Sequence, residues 1–205
     1  PDYLTEANLG DLAIDISRSS IIEKNRIIPI SAVPSHESKS IIIDIADHWG
    51  DFTAMGLRSV DFYDEVGVKI NTVSVGFSSY ATTQYNSTYQ VRYAFDTSKS
   101  KTGTQDGTEW RGENYKRTNQ RLICVFNSIQ YISSIVVNNS HTEGENTDRG
   151  IKNVKIYTST DAITETVYNA EIPNSTLIFD GVINEHTGSD VIDEQILELL
   201  NLPSF

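Results

Sequence analysis

The chain has 205 residues, of which 38% are hydrophobic, so it is long enough and apolar enough to bury a sizeable core. Its net charge of −12 argues against nucleic-acid binding and against an anionic membrane surface, because both need clustered Lys and Arg. No apolar run approaches the roughly 20 residues of a membrane helix, so we expect no membrane insertion.

Short strand-like runs recur along the chain. They are rich in Ile, Val, Tyr and Thr, and several alternate apolar with polar residues, as Ser59–Tyr63 does. Gly, Asn, Asp and Ser separate the runs, which is typical of an all-β sandwich with long loops. The predicted strands are Leu12–Ser17, Arg26–Ile30, Ser40–Ala46, Leu57–Tyr63, Val66–Val75, Tyr89–Phe95, Arg121–Asn127, Tyr131–Asn138, Ile151–Thr158 and Ser175–Asp180.

The two ends of the chain have different patterns from its centre. We predict an N-terminal arm or accessory strands over residues 1–37, a β-sandwich over 38–188, and a C-terminal helix or strand over 189–205. The helix is favoured for Asp190–Leu202, because Ile196 and Leu199 share a helical face, and a strand is the alternative. The first residues include no apolar segment, so we expect no signal peptide and synthesis in a cytoplasm, although a trimmed precursor would look the same.

Loops and glycines mark where function and tight turns are expected. The loops Thr97–Asn119 and Ser140–Gly150 are long and polar, and such loops usually carry function. Gly50, Gly56 and Gly150 are predicted to occupy turns with positive φ.

No residue pattern in the chain predicts an enzyme. The single Cys124 lies in an apolar run, which favours a buried thiol over a reactive one and leaves no internal disulfide. There is no nucleophile elbow and no phosphate-binding glycine loop. No metal-ligand spacing is present among the histidines, which are His36, His48, His141 and His186. We therefore predict a non-catalytic protein.

One part of the sequence resembles the discoidin or galactose-binding-like jelly roll. The resemblance lies in Tyr93-Ala94-Phe95-Asp96, Thr108-Glu109-Trp110, Arg121–Phe126 and Ile132–Val137. It implies a galactose-binding-like jelly-roll β-sandwich. The order of the strands resembles the repeated domain of katanin-interacting protein, through Ile41–Asp64 upstream and Arg149–Val154 and Leu177–Gly181 downstream.

The resemblance also implies roles for individual residues. Trp110 would plug the space under the loop, with Phe95 as its partner. Asp96 and Thr108, with backbone carbonyls of the loop, would bind a structural Ca²⁺. The alternative is that Asp96 caps a turn, because the usual second acid is absent and Lys99 lies nearby.

A basic and aromatic cluster follows this loop and interrupts the acidic chain. Modules of the family bind sugars through loops at one end of the sandwich, with aromatic rings that stack and Arg or Asn that bind hydroxyls. The predicted ligand-binding residues are Arg111, Asn114, Tyr115 and Arg117. Alternatively, these cations with Lys116 and Arg121 pair with the acidic face of a neighbouring copy. We interpret Trp49 as a packing residue rather than a sugar platform.

A sugar-binding type of fold, the expected absence of a signal peptide and the lack of an internal disulfide together suit a bacteriophage structural protein. Virions assemble inside the cell and act outside it. We predict a capsid decoration, tail or fibre protein that is located in the virion. Its expected partners are further copies of itself or other virion proteins, with a glycan as a candidate ligand. One alternative is an extracellular carbohydrate-binding module of a secreted enzyme or adhesin. Another is an intracellular protein-binding scaffold resembling the katanin-interacting protein domain.

Overall fold

A computed structural model describes residues 34–102, 107–188 and 193–200, all within the compact unit Pro34–Phe205. Two predicted strands, Leu12–Ser17 and Arg26–Ile30, lie outside the described residues, as do the first 33 residues of the predicted arm. The described residues form an all-β sandwich of two antiparallel sheets, which confirms the predicted fold class. No helix among them is long and apolar enough to cross a membrane.

The described residues contain nine strands. They are β1 His36–Ile45, β2 Gly56–Tyr63, β3 Phe77–Ala81, β4 Trp110–Arg111, β5 Gln120–Ile132, β6 Ser134–Asn139, β7 Asn153–Ser159, β8 Ser175–Val182 and β9 Glu194–Leu197. One sheet has the order β3-β5-β1-β7-β8, and the other has the order β4-β2-β6-β9. Every neighbouring pair is antiparallel.

The alternating pattern of the strands places one face of each sheet in a shared core. On β1, Ile41, Ile43 and Ile45 point into that core, whereas Ile42 belongs to a second cluster on the opposite face. Such alternation follows from the period of two in an extended chain. Cys124 on β5 is fully buried in the main core, and burial raises the pKa of its thiol well above the usual value. The prediction of a buried thiol is confirmed.

Trp110 and Phe95 both lie in the main core and are almost completely buried, as expected for an aromatic plug. The indole nitrogen of Trp110 donates a hydrogen bond of 3.0 Å to the Thr83 carbonyl, which satisfies its only polar atom. The ring that stacks on Phe95, at 6.2 Å between centroids, is that of Phe62.

The outer face of the five-stranded sheet is covered by the segment of residues 160–174. Under this cover, Arg121 is fully buried and binds Asp44 through two hydrogen bonds of 2.7 Å each. Arg121 also donates to the carbonyls of Glu165 and Ala170 in the covering segment. Arg121 is therefore not available to pair with a neighbouring copy, as the alternative interpretation of the basic cluster required, because strand alternation turns it into the buried face under this cover.

Two predicted strands contain short helices and no strand of the two sheets. Within Val66–Val75 the chain makes a turn and then the short helix Thr72–Val75, in which the Asn71 side chain accepts a hydrogen bond from the Ser74 amide. Within Tyr89–Phe95 it forms the short helix Val91–Phe95. Both runs are rich in β-branched or aromatic residues, and in so few residues such composition does not separate strand from helix.

The helix favoured for Asp190–Leu202 is wrong where the structure describes it, because residues 194–197 form β9. This strand pairs with β6 along the edge of the four-stranded sheet. Leu197 is buried and Ile196 is 71% exposed, so neighbouring side chains alternate between the two faces. Residues 189–192 and 201–205 lie outside the described residues.

Two of the three glycines predicted to have positive φ have a different role. Gly50 does have positive φ, at 150°. Gly56 lies inside β2, and Gly150 has a φ of −56°. At both positions a Cβ atom would collide with a neighbour, at 2.7 Å from Ser140 Oγ for Gly56 and 2.6 Å from Asn139 Cγ for Gly150. These glycines permit close approach of backbones rather than an unusual turn.

Candidate functional site

Three loops meet at one end of the sandwich, where β1 leads to β2, β4 to β5, and β6 to β7. Gly56 joins them, because it pairs with Arg111 on β4 and forms a bridge with Gly150 in the loop after β6. Gly56 and Gly150 can approach closely because neither has a side chain. Their contact therefore brings Arg111 and Arg149 together at this end of the sandwich.

A buried carboxylate, that of Glu109, lies at the centre of this end of the sandwich and faces three arginines. Its oxygens lie 2.6 Å from Arg111 Nε, 3.2 Å from Arg58 Nη2 and 3.7 Å from Arg149 Nη1. Ser140 Oγ donates a further hydrogen bond of 2.7 Å. One carboxylate cannot neutralise three guanidinium groups, so the cluster carries excess positive charge.

Asp51 is the second acid beside this cluster. Its Oδ2 lies 3.8 Å from Arg149 Nε, and its Oδ1 accepts hydrogen bonds from the amides of Thr53 and Ala54. Burial opposes ionisation of Asp51, but these hydrogen bonds outweigh it and lower the pKa of the carboxyl. The carboxylate is therefore held in its charged form.

Burial also lowers the pKa of Arg58 and of Arg149, and the neighbouring Arg111 lowers both further. These directions reflect cations that are crowded together and removed from water. Among the described residues, three guanidinium groups face two carboxylates, those of Glu109 and Asp51, so one positive charge of this cluster is unmatched there.

A cavity of about 270 Å³ lies against this cluster. It is lined by Thr53, Ala54, Tyr85, Arg111, Gly112, Asn114 and Arg149. Two of these, Arg111 and Asn114, belong to the predicted ligand site, and the part of the lining that the structure describes includes no acidic side chain. Arg111 is held in place by Glu109 and by the ring of Tyr89, 4.0 Å from its guanidinium carbon.

The other two predicted ligand residues, Tyr115 and Arg117, lie on the rim of the cavity, beside Phe52. Phe52 is 74% exposed and Tyr115 is 67% exposed, and their rings meet edge to face with centroids 6.3 Å apart. The guanidinium of Arg117 lies over the Phe52 ring at 5.3 Å. The Tyr115 amide donates to the carbonyl of Thr53, a residue that lines the cavity, so the rim lies next to the cavity. We call Phe52, Tyr115 and Arg117 the aromatic rim.

Sequence reasoning missed Phe52, Thr53, Tyr85 and Arg149, which come from three other parts of the chain. A signal was present for Arg149, because it ends the polar loop Ser140–Gly150, in which function was expected. Trp49 packs instead of forming a platform: its indole nitrogen donates to the Ile183 carbonyl at 3.0 Å.

The backbone of Tyr115 is strained, which yields a testable prediction. Its φ is 65°, a left-handed conformation that costs an L-residue about 1–2 kcal/mol, whereas Gly adopts it readily. We expect the free energy of unfolding, measured by urea denaturation, to be about 1 kcal/mol higher for Tyr115→Gly than for Tyr115→Ala. Equal values for the two variants would show that the loop relaxes without strain.

The predicted Ca²⁺ ligands hold separate protein partners. Asp96 Oδ1 accepts hydrogen bonds from the amide and the hydroxyl of Ser98, and its Oδ2 lies 3.7 Å from Arg92. Thr108 Oγ1 accepts a hydrogen bond of 2.5 Å from Arg58. The contacts of Asp96 are those of a turn cap, the alternative role. Among the described residues, no three His, Cys, Asp or Glu side chains form a metal-binding group, and Ca²⁺ stays a prediction.

Two buried histidines, His141 and His186, stack near the cluster with ring centroids 3.7 Å apart. The Gly144 amide donates to His141 Nδ1, so His141 Nε2 carries the proton that is shared with the Lys101 carbonyl. Burial lowers the pKa of His141, and the neighbouring His186 also acts in that direction. The fold therefore favours a neutral imidazole at His141.

This arrangement predicts a loss of stability at mildly acidic pH. Burial lowers the pKa of His36 as well, despite its contact with the Leu200 carbonyl. The unfolded chain, with a His pKa of about 6.5, takes up protons before the folded chain does. The contribution of these histidines is thus complete above about pH 6.5 and is lost as the pH falls through their folded pKa values.

We expect urea titrations to give a lower free energy of unfolding at about pH 5.5 than at about pH 7.5. The His36→Gln/His141→Gln double variant is expected to depend less steeply on pH than the parent chain. An unchanged slope in that variant would contradict the assignment to these two residues.

The fold and the site define an all-β sandwich with a cation-lined cavity and an aromatic rim at one end. No protein-family model, curated protein or solved structure matches this chain. The resemblance to galactose-binding-like domains therefore rests on the sequence motifs alone.

Proposed function

We propose that this chain is a non-catalytic recognition module that binds a saccharide at the cavity and its aromatic rim. The observation that carries the proposal is that two different surfaces lie next to each other. Arg111, Asn114 and Arg149 offer hydrogen-bond donors to hydroxyls, while Phe52 and Tyr115 expose ring surface beside them. Sugars present both polar hydroxyls and apolar C–H faces, so they need both kinds of contact.

The engagement of the nearby carboxylates supports binding over catalysis. Glu109 contacts the guanidinium groups of Arg58 and Arg111 and accepts a hydrogen bond from Ser140. Oδ1 of Asp51 accepts hydrogen bonds from two backbone amides and from the Thr53 hydroxyl. A general acid or base must reach the substrate and exchange a proton with it. Among the described residues neither carboxylate lines the cavity, and the hydrogen bonds to Asp51 lower the pKa of its carboxyl.

We propose a bacteriophage virion as the setting, with the chain acting as a capsid decoration, tail or fibre component. The sandwich supports this setting because its binding loops gather at one end and its sheets leave edges elsewhere. The edge strands of the described sheets are β3, β8, β4 and β9, and an edge strand offers backbone groups to a neighbouring chain. The exposed Ile196 on β9 adds apolar surface at one such edge.

A detachable carbohydrate-binding module is the second candidate. One observation favours it: the cavity and the aromatic rim lie together at one end of the sandwich, as a module that binds a ligand by itself requires. The two candidates share the binding site and differ in assembly.

The binding proposal is tested by titrating the full chain against a glycan array that contains neutral and acidic saccharides. We expect binding that falls about tenfold or more, equivalent to about 1.4 kcal/mol, in Tyr115→Ala and in Asn114→Ala. The control is Tyr131→Ala, which removes a comparably exposed ring at the far end of β5 and should leave binding unchanged. Absence of binding across the array would overturn the proposal.

The setting is tested by the mass of the natively purified particle, from light scattering with negative-stain imaging. A symmetric assembly that contains the chain in many copies would support the virion component. A monomer of 22.9 kDa would overturn it and leave the detachable module.

A further inference from the structure

We propose that the cavity selects a saccharide that carries a carboxylate, such as a uronic acid unit. This inference rests on the proposed saccharide-binding function and names the chemical class of its ligand. Three observations support it independently: the charge of the lining, the spare donor capacity of Arg149, and the size of the cavity.

The cavity lining is positive in a chain whose net charge is −12. Among the described residues, two guanidinium groups, those of Arg111 and Arg149, line the cavity, and no carboxylate does. Behind the lining, the third guanidinium, Arg58, competes with both for Glu109. With Asp51 included, the cluster still lacks one negative charge. A singly charged anion in the cavity would complete its neutralisation.

The guanidinium of Arg149 uses only part of its hydrogen-bonding capacity among the described residues, where Nη1 donates to Thr142 Oγ1 at 3.2 Å. Its side chain is 9% exposed, and its Nε atom is buried without a hydrogen-bond partner among them. The nearest acidic oxygens, on Asp51 and Glu109, lie at 3.8 Å and 3.7 Å from the guanidinium, beyond hydrogen-bond distance. Arg presents its donors as a planar fork, which matches the two oxygens of a carboxylate.

The size of the site favours a single sugar ring, and its charge favours a carboxylated sugar over a phosphorylated one. The volume of about 270 Å³ is below the roughly 300–1,000 Å³ of pockets for drug-sized ligands, so it suits one ring rather than several. A phosphate monoester brings a charge of about −1.5 to −2 near neutral pH, more than the single unmatched positive charge. The remaining sugars of a longer ligand would extend over Phe52 and Tyr115 on the aromatic rim.

The test uses the full chain and three probes in isothermal titration calorimetry. The first is a galacturonic acid oligosaccharide, the second is the same oligosaccharide with its carboxylates reduced to alcohols, and the third is a hexose phosphate. We expect the carboxylated probe to bind at least about tenfold more tightly than the reduced one, which corresponds to about 1.4 kcal/mol. This preference should shrink as salt is added, because it is electrostatic.

A protein-side test changes the charge of the lining with little change in shape. Asn114→Asp places a negative charge on an exposed lining residue that holds no buried hydrogen bond in the described contacts. We expect it to weaken binding of the carboxylated probe at least about tenfold more than it weakens binding of the reduced probe, which loses only the amide donor. The matched control is Asn119→Asp, an exposed residue of the same loop outside the lining.

A second variant tests the arginine directly. Arg149→Gln should bind both saccharides with equal affinity, provided that its circular dichroism spectrum matches that of the parent chain. If Arg149→Gln does not fold, the result for Asn114→Asp alone decides whether the cavity selects a carboxylate.

The possible outcomes separate the two proposals. Equal or tighter binding of the reduced probe would overturn the inference and leave the saccharide-binding function standing. Tighter binding of the hexose phosphate would also overturn it. Failure of both saccharide probes, together with an empty glycan array, would overturn the function itself and the inference with it.

Discussion

Replacing Asp44 with Ala is expected to lower the free energy of unfolding by about 3–5 kcal/mol. The change removes the only carboxylate bound to Arg121 among its described contacts, and Arg121 is fully buried beneath residues 160–174. A guanidinium left without a counter-charge in that position is far more costly than the pair itself is stabilising. Urea denaturation of the parent and the variant measures the difference.

The matched control is Asp180→Ala on the same sheet. Asp180 pairs with Lys155 at 3.6 Å, and both side chains are about half exposed, so its loss should cost at most about 1 kcal/mol. If Asp44→Ala cost no more than this control, the Asp44–Arg121 pair would not be sealed from water as the structure shows it.

Replacing Gly150 with Ala is expected to cost about 3 kcal/mol, the second-largest effect. The new Cβ would lie 2.6–2.7 Å from three atoms of the Asn139 side-chain amide. That amide is buried and cannot move freely: its nitrogen donates to the carbonyls of Ile151 and Asn184, and its oxygen accepts from the amides of Ile151 and Ser140. Moving it breaks several buried hydrogen bonds at once.

Thermal and urea unfolding of three variants separate this clash from backbone effects. Gly67→Ala meets no atom within 4 Å but has a φ of 77°, so it should cost only about 1 kcal/mol of strain. Asn139→Ala removes the same hydrogen bonds that Gly150→Ala displaces. The double variant should therefore be destabilised by clearly less than the sum of the two single changes. Simple additivity would mean that Gly150 and Asn139 act independently.

The main strands could be predicted from the sequence because their alternation is long and their two faces differ. On β7, for instance, Val154 and Ile156 point into the main core while Lys155 points outward. The short elements could not be predicted in the same way. Val91–Phe95 forms a single helical turn, which five residues of mixed preference do not specify without the packing around them. For β9, pairing with the edge of β6 outweighs the helical spacing of its apolar residues.

The candidate site could be predicted only in part, for a related reason. Arg111, Asn114, Tyr115 and Arg117 are neighbours in sequence, so their shared chemistry was visible. Phe52 and Arg149 lie far from these residues in sequence. They come to the site because Gly56 pairs with Arg111 and bridges to Gly150, and a single sequence does not reveal such pairing. The glycines themselves were identified for the wrong physical reason, since at Gly56 and Gly150 it is space and not φ that excludes a side chain.

The segment over the five-stranded sheet has a consequence for how this protein can diverge. Apart from the side chains of Ile163 and Ile172, which pack on the sheet, its anchors are main-chain atoms. Ser40 donates to the carbonyl of Asp161, Thr82 to that of Thr166, and Arg121 to those of Glu165 and Ala170. Carbonyls do not depend on residue type, so most side chains of this segment can drift in sequence while the sheet keeps its cover. The segment can therefore acquire a new surface, by evolution or by engineering, without disturbing the loops at the binding end.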